Sequence, residues 1–258
     1  MFYAAIFVAV MAVIVIMSIT VLFGIEDITV VADDGVPYTS AQIVSGCDVR
    51  KGQNLFTAPI EEAGEQIMTS LPYIEECTVT RRLPSTVVVT VKSADPVGIV
   101  RDADGAGVVF STGLRALENV VSAGDAPGVP VINGVIIDSA TVGHPITAQN
   151  EAYLESAAQI VRSLGEYGIA LDSITVTAGG NISAMYDGRI NIRFGTSAKL
   201  DEKIEIAATL INEGKITKHE AGDLSFVFSG GDSRAIFTPD YVKRQHENDD
   251  SNEDSDEN

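Results

Sequence analysis

The residue types that most often perform catalysis or bind metals are few in this sequence and lie far apart. The three histidines are His144, His219 and His246, and none belongs to an H-E-x-x-H motif or lies beside a cysteine. A zinc site needs several protein ligands that reach one ion, and closely spaced pairs usually supply them. The sequence therefore predicts surface histidines and no metal site.

Motifs for nucleophilic or acid–base catalysis are missing as well. There is no G-x-S-x-G elbow and no P-loop, and the segment Ser229–Asp232 (SGGD) lies between two predicted strands, where a hairpin turn is expected. Glu61 and Glu62 are adjacent in the sequence, as are Glu75 and Glu76. Adjacent helix residues do not face each other, so neither pair is expected to work together as two catalytic carboxylates. A carboxylate pair from distant segments, as in a membrane-tethered hydrolase, is an alternative. We predict a protein that is not an enzyme and binds no cofactor.

The two cysteines, Cys47 and Cys77, belong to no C-x-x-C motif. Cys77 shares a predicted strand face with Val79, which predicts a small buried side chain. A disulfide between Cys47 and Cys77 is the alternative in an oxidising compartment. Two cysteines are too few for a disulfide framework.

Acidic residues dominate the charge of the chain. The formal net charge is −19 over 258 residues, which argues against nucleic acid or an anionic membrane surface as a partner, because both need a basic footprint. The last twelve residues, 247–258, contain seven acids and no base. We predict that residues 241–258 form a disordered acidic tail.

An uncharged apolar run occupies residues 2–25. About 20 such residues span a bilayer core, so residues 1–25 are predicted to form a transmembrane helix. A cleaved signal peptide is the alternative, but the run lacks a basic start and a small-x-small cleavage site. The first basic residue after the run is Arg50, whereas short cytoplasmic flanks are normally rich in Lys and Arg, so the carboxyl side is predicted to be extracytoplasmic. The missing basic flank suggests a very short or truncated cytoplasmic segment.

Residues 26–97 show the order strand, helix, helix, strand, strand. Thr39–Gln42 matches a capping box, and Pro59 lies at the start of the second helix. Valines at alternate positions predict a strand with one buried face: Val87, Val89 and Val91. Two helices over one side of a three-stranded sheet would bury both apolar faces.

Residues 98–240 are predicted to be rich in strands, with two helices. Asp187–Gly188 predicts a tight hairpin turn, and Ser197 is predicted to cap the second helix. Short strands are predicted around Val108–Phe110, Val135–Ile137, Ile174–Val176, Ile182–Ala184 and Ile190–Phe194. A final hairpin follows, with strands around residues 224–228 and 234–237.

This final hairpin is the candidate partner-binding site. An exposed edge strand offers unpaired N–H and C=O groups to which another chain can add a strand. The alternative is that the aromatic residues fill the core beneath the sheet. The candidate partner-binding residues are Leu224, Phe226, Phe228, Arg234, Ile236 and Phe237.

The order of several short motifs resembles the FtsQ/DivIB family of bacterial cell-division proteins. Residues 71–98 (LPYIEECTVTRRLPSTVVVTVKSADPVG) resemble the signature of the family's POTRA domain, and Gly52–Phe56 is similar to its G-x-N-L-F element. Pro130–Gly134, Arg193–Lys203 and the hairpin from Asp223 to Pro239 resemble elements of its β domain. One departure is Ala94-Asp95, where members commonly carry Glu-Arg.

The resemblance implies an α+β fold in four parts. These are a transmembrane anchor (1–25), a POTRA domain of β-α-α-β-β order (26–97), a β domain with two helices (98–240) and the acidic tail (241–258). It also implies a membrane-anchored, single-pass scaffold at the division septum. Its partners would be small coiled-coil membrane proteins of the FtsL and FtsB/DivIC type and a septal peptidoglycan synthase, and its POTRA part would serve recruitment. A POTRA-containing accessory of protein secretion or outer-membrane assembly is the alternative, although the chain has neither a barrel nor further POTRA repeats.

Overall fold

The computed structural model describes residues 3, 6–11, 22–101, 105–217, 219–229 and 232–240. The chain divides into two compact units, one with residues up to Asp95 and Val142–His144, the other with Pro96–Thr141 and the residues from Pro145 onward. Within the described ranges, no helix has the length and apolar character needed to cross a membrane. Most of the predicted anchor at 1–25 and the whole predicted tail at 241–258 lie outside these ranges.

The first unit is a three-stranded sheet with two helices, in the predicted order of elements. The sheet order is β1-β3-β2, with β1 parallel and β2 antiparallel to the central strand β3. The elements are β1 (Asp27–Ala32), α1 (Ser40–Ser45), α2 (Ile60–Ser70), β2 (Ile74–Arg82) and β3 (Thr86–Ser93).

Local sequence signals account for these elements. Thr39 caps α1 as predicted: its hydroxyl accepts from the Gln42 N–H at 3.3 Å, and the Gln42 side chain accepts from the Thr39 N–H at 2.9 Å. This reciprocal pair satisfies two N–H groups that a helix start would leave unpaired. The alternating valines of β3 are buried and form the centre of this core with Ile43 and Ile67.

The second unit is a nine-stranded mixed sheet with two helices and a small two-stranded sheet. The large sheet has the order β14-β13-β12-β11-β10-β7-β4-β5-β6. Its strands are β4 (Pro96–Arg101), β5 (Gly107–Ser111), β6 (Ala116–Val120), β7 (Val131–Asn133), β10 (Leu171–Val176), β11 (Ile182–Tyr186), β12 (Ile190–Gly195), β13 (Gly222–Ser229) and β14 (Asp232–Pro239). The small sheet pairs β8 (Ile137–Ser139) with β9 (Thr147–Ala148), and the helices are α3 (Glu151–Glu166) and α4 (Leu200–Asn212).

Both helices contact the same core of the large sheet. Leu154 and Leu164 of α3 and Ile204 of α4 are buried with Phe110 and Phe194 of the strands. The apolar residues of each helix recur every three to four positions, so one stripe packs on the sheet while the other side stays polar. One face of the sheet is therefore the core face of this unit.

Two local predictions were wrong. Ser197 does not cap α4; Lys199 is the N-cap residue, with a φ of 53° and no side-chain capping bond. The strand predicted at Val135–Ile137 starts only at Ile137, because Gly134 turns the chain with a φ of 82° just after β7. A Cβ atom at Gly134 would lie 1.9 Å from the Val176 carbonyl oxygen, so only glycine fits this turn.

Candidate partner-binding edge

Strands β13 and β14 form a hairpin at one end of the nine-stranded sheet. β13 pairs with β12 in parallel, and β14 pairs only with β13 among the described strands. The parallel pairing arises because α4 lies between β12 and β13 in the chain, and such a crossover places two strands in the same direction. The last strand of the fold is therefore an edge strand.

Hydrogen bonding leaves the outer side of β14 unpaired within the described residues. The Asp240 N–H donates to the Ala221 carbonyl at 2.9 Å, whereas the Gly222 N–H turns to the Arg189 carbonyl at 3.0 Å. In antiparallel pairs, residues that bond to the partner strand alternate with residues whose N–H and C=O point away. Because Asp240 bonds to the neighbouring strand, so do the residues at every second position before it, such as Thr238 and Ile236. The residues between them, Phe237, Ala235 and Ser233, direct their main-chain N–H and C=O groups away from β13.

The core-facing side chains of the hairpin attach it to the unit. Leu224 is fully buried, and Phe226 stacks on Phe194 with ring centroids 5.7 Å apart. Phe237 lies opposite Leu224 in the register and also packs on the core. These three predicted site residues thus hold the edge strand in place, and Leu224 has no surface to offer a partner.

Phe228 continues this face toward the tip of the hairpin, where two lysines lie over its ring. The ammonium of Lys199 is 4.6 Å and that of Lys203 is 5.7 Å from the ring centroid. Lys203 also donates to the Thr196 carbonyl at 2.7 Å, and desolvation by burial lowers its pKa. Two cations over one aromatic face attract the ring through its quadrupole and link α4 to the hairpin.

The opposite face of the hairpin carries exposed side chains, which we call the outer patch: Val227, Arg234 and Ile236. Val227 is 45% exposed and Ile236 is 49% exposed, and Arg234 lies directly across from Val227 in the register. Arg234 and Ile236 were predicted site residues, whereas Val227 was missed. Its position between Phe226 and Phe228 was the available signal, because neighbouring strand residues point to opposite faces.

A polar cluster lies on β12 and β13 on the same face. The Asp223 carboxylate accepts from Asn191 at 3.0 Å and pairs with Arg193 at 2.5 Å. Asp223 is largely buried, and the guanidinium of Arg193 balances its charge. The outer patch is therefore bordered by a neutralised cluster on the inner strands, and no further described strand lies beyond β14.

The other residues considered for chemistry do not converge in the described part of the chain. His144 and His219 are exposed, and His246 lies outside the described ranges. Among the described residues, no group of three or more His, Cys, Asp or Glu side chains is placed to hold a metal ion. Ser229 and Asp232 pair in register, which agrees with the predicted hairpin turn.

A groove on the first unit lies between β1 and α1. It has a volume of about 520 Å³. Its apolar lining residues, such as Ile28 and Val44, are joined by two serines and by Arg50 and Lys51. β1 ends the three-stranded sheet on this side among the described strands. An edge strand beside an apolar groove is a second surface at which a peptide can bind.

Cys47 and Cys77 are free thiols, and both contribute to the core of the first unit. Desolvation by burial, and to a smaller extent the neighbouring Cys47, raise the pKa of Cys77 from 9.0 to about 11. At pH 8 the fraction of reactive thiolate at Cys77 is thus about 100-fold below that of an ordinary thiol.

We therefore expect native Cys77 to resist alkylation by iodoacetamide at pH 8 and to react fully in urea. Raising the pH toward 11 should increase the native rate, because the thiolate forms in that range. Peptide mapping by mass spectrometry measures the two cysteines separately. Equal rates in the native and unfolded protein, or a mass showing an intact Cys47–Cys77 bridge, would contradict this expectation.

Known proteins match most of this chain. A model of the POTRA domain, FtsQ-type, matches residues 23–92. The cell division protein FtsQ of Corynebacterium glutamicum is 28% identical over 182 residues, which cover 67% of this chain and 73% of that protein. The cell division protein DivIB of Clostridium botulinum is 22% identical over 219 residues, covering 81% of this chain and 80% of that protein. The FtsQ-type POTRA match and the two division-protein relatives together support a cell-division protein of the FtsQ/DivIB family.

Proposed function

We propose that this protein is a membrane-anchored scaffold of the bacterial division septum. It binds small coiled-coil membrane proteins of the FtsL and FtsB/DivIC type and couples them to septal peptidoglycan synthesis. Similarity to the division proteins FtsQ and DivIB supports the role in division. The lack of any catalytic motif in the sequence favours a protein that acts by holding others and not by turnover.

One observation supports binding at the hairpin most directly. Strand β14 has outward-pointing main-chain groups at Ala235 and Phe237 and exposes the outer patch beside them. A partner strand added there would form N–H···O=C bonds with the edge and place apolar side chains on Val227 and Ile236. A segment at the end of a coiled coil can supply such a strand without changing the rest of the partner.

Membrane anchoring follows from the apolar run at residues 2–25. As a helix, residues 2–22 would be about 32 Å long, which is enough for a bilayer core of about 30 Å, while residues 23–25 pair with the first unit. We propose that this run spans the membrane once. No Lys or Arg follows the run before Arg50, which favours an extracytoplasmic position for the rest of the chain because cytoplasmic flanks are normally rich in these residues.

The two units would divide the work between recruitment and partner binding. We propose a POTRA domain at residues 26–97 and a β domain at residues 98–240, followed by an acidic tail at 241–258. The groove beside β1 offers the POTRA domain a surface for a recruiting protein. The hairpin at the edge of the β domain then holds the coiled-coil proteins.

Ile236→Glu tests the partner-binding edge. The new carboxylate would replace apolar surface of the outer patch with a charged group that strand addition would have to remove from water. We expect the full chain, purified from detergent-solubilised membranes, to recover at least about tenfold less coiled-coil partner, a difference of about 1.4 kcal/mol. Thermal unfolding should change little, because Ile236 is half exposed.

Thr175→Glu is the matched control for this experiment. Thr175 is exposed on β10, between the buried residues Ile174 and Val176, and so lies on the same face of the sheet but several strands from the edge. Its variant should recover the partners normally. Equal recovery by the wild type and Ile236→Glu would remove the hairpin from the binding site.

A further inference from the structure

Three segments of the first unit meet at the carboxyl end of the apolar run. Residues 23–25 pair with the loop at 52–55: the Leu55 N–H donates to the Phe23 carbonyl at 2.7 Å, and the Ile25 N–H donates to the Gln53 carbonyl at 2.8 Å. A third bond from the Gly52 N–H to the Ile25 carbonyl, also 2.8 Å, closes the pairing. The folded unit therefore already holds the backbone of the last three residues of the run.

The turn between β2 and β3 joins the same end of the unit. The Glu26 N–H donates to the Ser85 carbonyl at 2.8 Å. The Arg81 guanidinium donates through Nε to the Leu55 carbonyl at 2.9 Å. These bonds tie the turn to the two paired segments, so all three belong to one surface.

This surface exposes large apolar side chains, which we call the proximal patch: Leu22, Phe56 and Leu83. They are 60%, 53% and 62% exposed. Phe56 also meets Phe23 edge to face, with ring centroids 5.0 Å apart, so its position is fixed. Clustered apolar side chains on a soluble surface usually mark a site that contacts a partner or a membrane.

Basic residues accompany the proximal patch. The segments at 22–27, 50–56 and 81–85 contain four bases, Arg50, Lys51, Arg81 and Arg82, and two acids. Lys51 pairs with one of these acids, Asp27, at 3.0 Å. This end is locally positive although the whole chain carries a net charge of −19. Its basic side chains can therefore contact anionic lipid.

We infer that the proximal patch rests in the headgroup layer of the membrane from which the chain emerges. The proposal depends on the anchoring proposed above, since the patch begins at Leu22, within the last turn of the apolar run. Aromatic and aliphatic side chains favour this interface, and arginine and lysine stems lie along it with their charges at the phosphates. The effect is to set the orientation of the first unit relative to the bilayer.

A single tryptophan can test this contact, because the chain has none. Full-length Phe56→Trp is reconstituted into phosphatidylcholine–phosphatidylglycerol vesicles, with and without bromine on the acyl chains. We expect emission at shorter wavelength than in urea, and clear quenching by the brominated lipid. Val31→Trp is the control: Val31 is 50% exposed near the far end of β1, and the tryptophan introduced there should emit as in water without quenching.

The outcomes separate the two proposals. Vesicles that float without the protein would overturn the anchor and the headgroup contact together. Protein that floats with the vesicles, while the Phe56→Trp variant is quenched no more than Val31→Trp, would overturn the headgroup contact and leave the anchor and the scaffold role intact. Short-wavelength emission from the Phe56→Trp variant without quenching would show burial by protein, which also overturns the headgroup contact.

Discussion

An Ala235→Pro chain is expected to fold and reach the membrane yet to lose its division partners. The Ala235 N–H points away from β13, so proline removes no bond of the hairpin, and edge strands tolerate proline at such positions. The incoming strand, however, would lose its donor and meet the proline ring. One hydrogen bond contributes about 0.5–1.5 kcal/mol, and the steric block adds to it, so partner recovery should fall at least about tenfold.

Ile236→Pro is the matched control on the next residue. By the alternation along β14, the Ile236 N–H bonds to β13. Proline there removes a bond within the sheet, and the hairpin itself should be destabilised. We expect a lower melting temperature for Ile236→Pro and a nearly unchanged one for Ala235→Pro, measured by circular dichroism. Normal partner recovery by Ala235→Pro would show that strand addition does not occur on this edge.

Leu224→Ala is expected to have the largest effect on stability among the predicted site residues. Leu224 is fully buried on the core face of β13. Truncating a buried leucine loses its transfer free energy and leaves a cavity, which together cost about 2–5 kcal/mol. The free energy of unfolding, from urea titrations of the full chain in detergent, should fall by that amount.

Val227→Ala separates this stability effect from binding. Val227 lies on the opposite face of the same strand and is 45% exposed, so its truncation should change the unfolding free energy by less than about 1 kcal/mol. It should instead weaken partner recovery, because it removes part of the outer patch. The reverse result, a stable Leu224→Ala and an unstable Val227→Ala, would mean that the faces of β13 are assigned the wrong way round.

Most elements of the fold could be predicted because their signals are local. The capping box at Thr39 acts over four residues, and the buried alternation of Val87, Val89 and Val91 needs only one strand. Asp187 and Gly188 both have positive φ, as a type I′ turn requires, and the chain turns there between β11 and β12. The failure at Ser197 is also local: a residue in the left-handed region two positions later took the capping place, and its type, lysine, carries no such signal.

The candidate site was predicted only in part. Alternation indicates that Leu224, Phe226 and Phe228 share a face, and that Ile236 and Phe237 cannot share one. It does not indicate which face is covered. That depends on α3 and α4, at 151–166 and 200–212, which pack on the core side and bury Leu224 while leaving Val227 and Ile236 exposed.

By itself, the sequence determined the order of the elements in the first unit, the resemblance to the FtsQ/DivIB family and the absence of any recognisable catalytic motif. Only the tertiary structure decided that β14 is the edge of a nine-stranded sheet and that Ala235 directs its N–H away from β13. Strand order depends on pairing between residues far apart in the chain, such as β7 with β10 and β4. No local pattern of residue types encodes that pairing, because each strand alone could accept several neighbours.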